Sequence, residues 1–365
     1  MNDFKLGIYL DPDFVKSKED VKKLVNDLKT LEKVDFVLIL TKSSDGTAYP
    51  SQYTKNVCVK NPQMYSEIVK ALKDLGIETH AWFCLYIESV EKPSEIVKSN
   101  PGVLLVNKYG KSNLEEPTWS YIKPEYSIYW VCPSAELYRE YLKKLMIEVI
   151  EKYDVDGIHL DYVRYPETLE GRYYCYCKRC LKRFKEEYGY IFPTNDVIHV
   201  RYYVTILCEN VSSSVKEFAK LAKEHGKKIS AYVFTDYTTA IEACYQDWPY
   251  FSRYLDLLLP TLYEVSPEWM KVLVKRAKSV ASKGCKITPV IYTNTVIRRA
   301  VKGARRWSLK RNAEYILESM RSVKEAGADG IVFYHYSALF GKSVAGNLPK
   351  HELERVIEGL RTFPY

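Results

Sequence analysis

Val155-Asp156-Gly157-Ile158-His159-Leu160-Asp161 is a strand-length apolar run that ends on an acid and follows a helical stretch over residues 134–153. Alternate residues of a strand face opposite sides. Ile158 and Leu160 are the natural pair to face covering helices, so Gly157, His159 and Asp161 face the other way together. A His beneath an Asp in a protein interior costs free energy unless both find partners. An interior shaped by stability alone would hold Val or Ile there. Catalytic groups of α/β barrels stand at the C-terminal ends of strands, and Asp161 lies at such an end. Arg164 follows within reach, and Pro166 stops the strand. A structural Asp161–Arg164 ion pair is the competing reading.

Working outward, similar apolar runs alternate with amphipathic helical stretches. The runs cover residues 6–10, 34–40, 77–85, 155–163, 228–234, 255–263, 286–293 and 330–336. Val21, Leu24, Val25, Leu28 and Leu31 mark one face of a helix over 18–32, and a helix over 63–75 stops at Gly76. Further helices are expected over 178–188, 196–225 and 350–360. This alternation across 365 residues predicts an α/β fold, a (β/α)8 TIM barrel forming a single domain over residues 1–365. An open doubly wound sheet is disfavoured, because no Gly-rich phosphate loop follows the first strand. An internal echo, Val155-Asp156-Gly157-Ile158 against Ala328-Asp329-Gly330-Ile331, fits repetition of one strand–helix unit.

Insertions follow strands three and four. An aromatic loop over 93–133 carries Trp119, Tyr121, Tyr126, Tyr129 and Trp130, and is expected to pack over one end of the barrel. A cysteine-containing helical insertion covers 167–225.

Hydrophobic residues at 47% and charged residues at 27% exclude a mainly disordered chain. No run of about eighteen apolar residues occurs, so no membrane span is expected. The N-terminus lacks the basic-then-apolar pattern of a leader, which makes a cytoplasmic location the expectation. The formal charge of +8 comes without block runs and reads as a lysine-rich solvated surface. The nearest basic stretches are residues 301–311 and the set Lys178, Arg179, Lys182, Arg183 and Lys185, so nucleic acid is not the expected partner. Tyrosine is in excess, with 32 Tyr beside 6 Trp and 12 Phe. Flat amphipathic rings at a cleft mouth suit sugar faces, while thick packing is the plainer alternative.

Asp156-Gly157-Ile158-His159-Leu160-Asp161-Tyr162-Val163-Arg164-Tyr165-Pro166 resembles the signature of a family of glycosyl-hydrolase-like barrels from bacteria and archaea, many of unassigned activity. Thr41-Lys42-Ser43-Ser44-Asp45-Gly46-Thr47-Ala48-Tyr49-Pro50-Ser51 is similar to that group's loop after strand two, though less acidic. Gln246-Asp247-Trp248 ahead of Leu255-Asp256, with Leu259-Pro260-Thr261-Leu262-Tyr263, is similar to its strand-six region. Gly330-Ile331-Val332-Phe333-Tyr334 is similar to its strand eight. The resemblance implies a hydrolase that cleaves O-glycosidic bonds of an oligo- or polysaccharide.

Such chemistry needs two carboxyl groups flanking the scissile bond and no cofactor. Asp161 is the expected nucleophile or base, with Arg164 and His159 keeping it oriented and ionised. Asp236, inward if Ser230 and Tyr232 are, is slightly favoured as its partner over Glu264 at the end of strand six. Asp45 suits a sugar hydroxyl or a turn. Trp82, Trp248, Tyr263, Tyr292, Tyr334 and Tyr336 lie at or near strand ends and are candidate stacking surfaces.

Cys175-Tyr176-Cys177-Lys178-Arg179-Cys180 gathers three thiols, and Cys177 and Cys180 have the C-x-x-C spacing of a zinc knuckle. Cys175, Cys177 and Cys180 are candidate ligands of a structural zinc, with Cys208, His199 or Cys132 as the fourth. A second C-x-x-C is missing, so a disulfide or free thiols stay open. Cys58, Cys84, Cys244 and Cys285 read as small core residues. Three other functions compete. A non-catalytic carbohydrate-binding barrel predicts rings without paired acids. A nucleic-acid or protein interaction module would use the cysteine-rich insertion. A metal-dependent hydrolase would want clustered His at strand ends, whereas His80, His159 and His335 come without His-x-His. Oligomeric state is left open.

Overall fold

The computed structural model describes residues 4–116, 118–119, 127–167, 175–192, 196–263, 265–293, 312–341 and 347–365. Its main sheet runs through β1 (Lys5–Leu10), β2 (Phe36–Ser43), β3 (Glu78–Cys84), β4 (Gly157–Asp161), β5 (Lys228–Val233) and β6 (Leu257–Pro260). Strand β7 comes in two pieces, Lys286–Ile287 and Val290–Tyr292, and β8 is Gly330–Tyr334. Neighbours pair in parallel, and β8 returns to β1.

The sheet closes through β7. Its first piece pairs with β6 and its second with β8. Pro289 sits at the break, where it has no N–H to donate to a ladder. Its carbonyl instead accepts from Val332 N at 2.8 Å, and Leu262 N donates to Val290 O at 2.8 Å across the other seam. The (β/α)8 barrel expected from the sequence is therefore present, with strand seven divided.

Helices join the strands on the outside. Lys18–Thr30 opens on a capping box, in which Ser17 Oγ accepts from Asp20 N and the Asp20 carboxylate accepts from Ser17 N. It turns Val21, Leu24 and Leu28 inward. Met64–Asp74, Glu136–Tyr153, Val197–Glu224, Pro267–Val280 and Ala313–Glu325 follow the same pattern. Among the described residues, no helix is long and apolar enough to cross a membrane.

The N-terminal face carries a repeated device. Asp35, Asp156, Asp256 and Asp329 each precede an even-numbered strand. Their carboxylates accept from the N–H groups of Leu6, Thr79, Ile229 and Ile287, the second residues of the preceding odd strands, at 2.8–2.9 Å. Their carbonyls accept from the first residue of the next odd strand: Glu78, Lys228, Lys286 and Lys5. The echo between residues 155–158 and 328–331 is one half of this fourfold ring.

The first insertion adds the strands Ser127–Trp130 and Thr118–Trp119 to Ile87–Ser89, just ahead of it, in an antiparallel sheet that periodicity did not suggest. Tyr121 and Tyr126 lie outside the described residues. The second carries the helices Lys178–Tyr188 and Val197–Glu224.

Candidate active site

The barrel interior is built upward from glycine. A Cβ on Gly7 would lie 2.4 Å from the Phe36 ring, and one on Gly157 would lie 2.9 Å from His80 Nδ1. The two glycines thus leave the floor to Phe36 and His80, whose rings are 5.5 Å apart. Two residues further along β4, His159 bridges Tyr9 and Ser230, with Nε2 2.7 Å from the Tyr9 hydroxyl and Nδ1 2.8 Å from Ser230 Oγ. Burial, helped by His80, holds the His159 imidazole far below its ordinary pKa, so it is neutral. Both ring nitrogens are satisfied, which answers the cost of placing a His there.

Asp161 stands above His159 at the end of β4, only 5% exposed. Trp82 Nε1 donates to its Oδ2 at 2.8 Å, and Tyr162 N donates to its Oδ1 at 2.6 Å. Cys84 Sγ lies 3.8 Å from Oδ2. Tyr162 has a φ of +51°, a left-handed conformation unusual for an aromatic residue, directly after this carboxyl. Burial pushes the Asp161 pKa up to about 6, while the donors from Trp82 and Tyr162 and the Arg164 charge oppose the rise. Tyr9, Tyr232 and Tyr334 all feel its charge.

Aromatic rings surround this acid. Trp82 meets Tyr9 edge-on at 4.8 Å, and Tyr334 lies 5.3 Å from Tyr9. Tyr263 stacks on Tyr292 at 3.7 Å, and each is 5.6 Å from Tyr334. Tyr232, Tyr263, Tyr292 and Tyr334 are half-buried, while Tyr9 and Trp82 are buried.

Several expected residues are placed differently. Arg164 makes no ion pair with Asp161. Its guanidinium lies 5.1–5.3 Å from the ring centres of Tyr162, Trp130 and Phe234, and 3.8 Å from Glu167. It influences Asp161 by field, and His159 is hydrogen-bonded to Tyr9 and Ser230 instead. The orienting donors are Trp82 and the Tyr162 backbone.

Asp236 is the N-cap of the helix Tyr237–Cys244. Its Oδ1 accepts from Thr238 N and Thr239 N, and its Oδ2 from Thr239 Oγ1. The strand has ended at Val233, so alternation no longer governs its direction. Glu264 lies outside the described residues. Asp45 occupies the turn ahead of Gly46, its N–H donating to Ser43 Oγ.

Trp248 is 1% exposed in the one-turn helix Trp248–Phe251, where no ring face is open to a sugar. Tyr336 is equally buried, stacked on Phe14 and donating to Asp27 from beyond the end of β8. Both lie past the strand ends, where a helix carries the side chain into packing. Tyr9, Tyr232, Cys84 and Trp130 complete the site's surroundings but were not read as site residues. Tyr9 was within reach of the alternation rule, being two residues beyond Gly7.

The cysteines converge. Cys132, Cys175, Cys177 and Cys180 are all buried, and their sulfurs lie within 4.8 Å of one another. Cys132 is the fourth member. Cys208, buried on Val197–Glu224, and His199, whose ring lies tilted against Tyr190, are not part of the cluster.

No curated protein sequence matches the chain. Solved glycosidase structures share its fold. An α-L-fucosidase isoenzyme 2 from Paenibacillus thiaminolyticus is 15% identical, with a TM-score of 0.61 over 98% of this chain and 49% of that one. A group IV chitinase from Ostrinia furnacalis is 11% identical, with a TM-score of 0.54 over 98% and 100%. An α-galactosidase from Lactobacillus brevis is 12% identical, with a TM-score of 0.54 over 99% and 40%. The chain thus spans 49% of the fucosidase and 40% of the galactosidase. These likenesses concern the fold. The sequence model of glycosyl hydrolase-like 10 matches residues 6–306, a span that holds the Asp161 motif, the four clustered cysteines and every barrel strand but β8; the chain belongs to the glycosyl hydrolase-like 10 family.

Proposed function

We propose that this chain, acting as one barrel domain, hydrolyses O-glycosidic bonds of an oligo- or polysaccharide, with Asp161 as nucleophile or as base for water. The observation that carries this reading is a buried carboxyl whose two oxygens each accept a fixed donor, at the mouth of a barrel lined with tyrosines. With a pKa of about 6, Asp161 is mainly ionised at neutral pH and can approach an electron-poor anomeric carbon. The half-buried rings of Tyr232, Tyr263, Tyr292 and Tyr334 offer apolar surface to a sugar. Asp236 is already occupied in capping a helix, so Glu264, next to Tyr263 in sequence, is the first proton donor to test. Carboxylate chemistry needs no metal, and the cysteine cluster is structural in this reading.

The test is turnover of a panel of oligosaccharides by the wild type, Asp161→Asn, Glu264→Gln and Asp236→Asn. Asp161→Asn and Glu264→Gln are expected to lower kcat/KM by about a thousandfold or more. Asp236→Asn should lower stability more than turnover. Sugar binding by the wild type without hydrolysis of any substrate would favour a carbohydrate-binding barrel. Unchanged turnover in Asp161→Asn would end the assignment.

A further inference from the structure

We propose that Cys132, Cys175, Cys177 and Cys180 form a tetrathiolate zinc centre whose purpose is to clamp the two insertions to each other beside the barrel mouth. Cys132 belongs to the first insertion, two residues past the end of the strand Ser127–Trp130; the other three belong to the second. Their sulfurs are spaced for a shared ion. Cys132 Sγ lies 3.6 Å from Cys180 Sγ and 3.9 Å from Cys177 Sγ. Four Zn–S bonds of about 2.3 Å at tetrahedral angles put sulfurs about 3.8 Å apart. A disulfide needs about 2.05 Å, far shorter than these separations.

The surroundings suit thiolates. Val106 N and Cys177 N each donate to Cys175 Sγ at 3.3 Å, and Asn210 Nδ2 lies 3.6 Å from Cys180 Sγ. Donors of this kind orient ligating sulfurs and spread their charge. A four-sulfur site is soft and tetrahedral, which selects zinc over oxygen-seeking cations.

The clamp reaches the mouth through two short connections. Cys132 Sγ lies 3.6 Å from the hydroxyl of Tyr165, four residues beyond Asp161. Trp130, two residues before Cys132, packs on Tyr162 at 5.7 Å and covers the Arg164 guanidinium at 5.2 Å. Hydrogen bonds from Tyr176 N to Val106 O at 2.8 Å and from Arg179 Nη1 to Gly102 O at 2.9 Å also join the two insertions, and the ion would lock the register that they set.

Metal analysis of protein purified under reducing conditions tests the site. About one zinc per chain is expected, as a closed structural site would retain it. Cys132→Ser and Cys177→Ser should each lose the metal, while Cys208→Ser keeps it. If the ligand variants fail to fold, the native chain still decides. Replacing its zinc with Co(II) should give the visible ligand-field bands of a tetrahedral sulfur site. Chelation should expose all four thiols to alkylation together, with Cys84 and Cys244 still protected. Metal-free protein, stoichiometric iron, or Cys132 alkylated while zinc stays bound would overturn the proposal. Metal content and thiol labelling do not depend on sugar cleavage, so failure here is distinct from failure of the glycosidase reading.

Discussion

Burial works against Asp161 as an anion. Its pKa rises from 3.8 in a solvated chain to about 6 in the fold, chiefly because the carboxylate loses water. A raised carboxyl pKa makes a contribution that is most favourable below the unfolded value and is lost as pH climbs through about 6. Two pH units correspond to about 3 kcal/mol against the folded state at neutral pH, as an order of magnitude. Asp161→Asn removes that charge. Its stability relative to the native chain should therefore improve as pH rises from 5 to 8, measured by denaturant melts at both ends. An amide nitrogen facing either Trp82 Nε1 or Tyr162 N will cancel part of the gain. A difference independent of pH would show that the carboxylate is not desolvated. The same group sets a sign for catalysis. A nucleophile or base fails when protonated, so kcat/KM should fall as pH drops below about 6. A fall above 6 instead would make Asp161 the acid. Trp82→Phe removes a donor that favours the anion, so it should move this limb to higher pH.

Among the elements, the four aspartates of the N-terminal face explain the echo in the sequence. Each ties an even strand to both odd neighbours through one carboxylate and two backbone groups. Asp156 also accepts from Thr79 Oγ1, at 3.1 Å. Asp156→Ala leaves the Thr79 N–H without that acceptor and should cost about 1–3 kcal/mol in equilibrium unfolding. Turnover at moderate temperature should hold, since Asp156 lies at the opposite end of β4 from Asp161. An unchanged melt would show the ring to be incidental. The echo was legible at 155–158 and 328–331 because glycine follows both aspartates. It was hidden at Asp35 and Asp256, where Phe36 and Leu257 follow. Helix Lys178–Tyr188 was read to the residue from its pattern. Pro289 marked the break in strand seven, but one apolar run concealed it. The small sheet of the first insertion was not legible, because its short strands pair across a gap of some forty residues. The direction of Asp161 followed from Ile158 and Leu160. Its bond to Trp82 did not, because that depends on the register of β3 against β4, where Trp82 lies beside His159.

For the molecule as a whole, the tyrosine excess divides between two uses. Some rings line the mouth, while Tyr49, Tyr138, Tyr165, Tyr203 and Tyr336 are buried posts whose hydroxyls join distant elements. Composition could not separate these uses, since both favour an amphipathic ring. Tyr138 belongs to a junction that joins barrel, insertion and covering helix. There the Lys42 ammonium, 2% exposed at the end of β2, donates to the carbonyls of Cys84 and Ile87 at 2.9 and 3.0 Å and to the Tyr138 hydroxyl at 3.2 Å. It lies 3.6 Å from Glu88, also buried, whose other oxygen accepts from Ser94 N at 2.7 Å. Replacing both ions together need not weaken a fold, but removing one strands the other in a dry interior. Lys42→Met leaves the Glu88 carboxylate without its cation and should cost about 3–5 kcal/mol. Adding Glu88→Gln to that variant removes the stranded charge while keeping an acceptor for Ser94 N. The double variant should therefore be more stable than Lys42→Met alone, by denaturant melts in a double-mutant cycle. Additive losses would show that Lys42 and Glu88 are not coupled, and that the junction rests on its hydrogen bonds to backbone carbonyls and to Tyr138 instead.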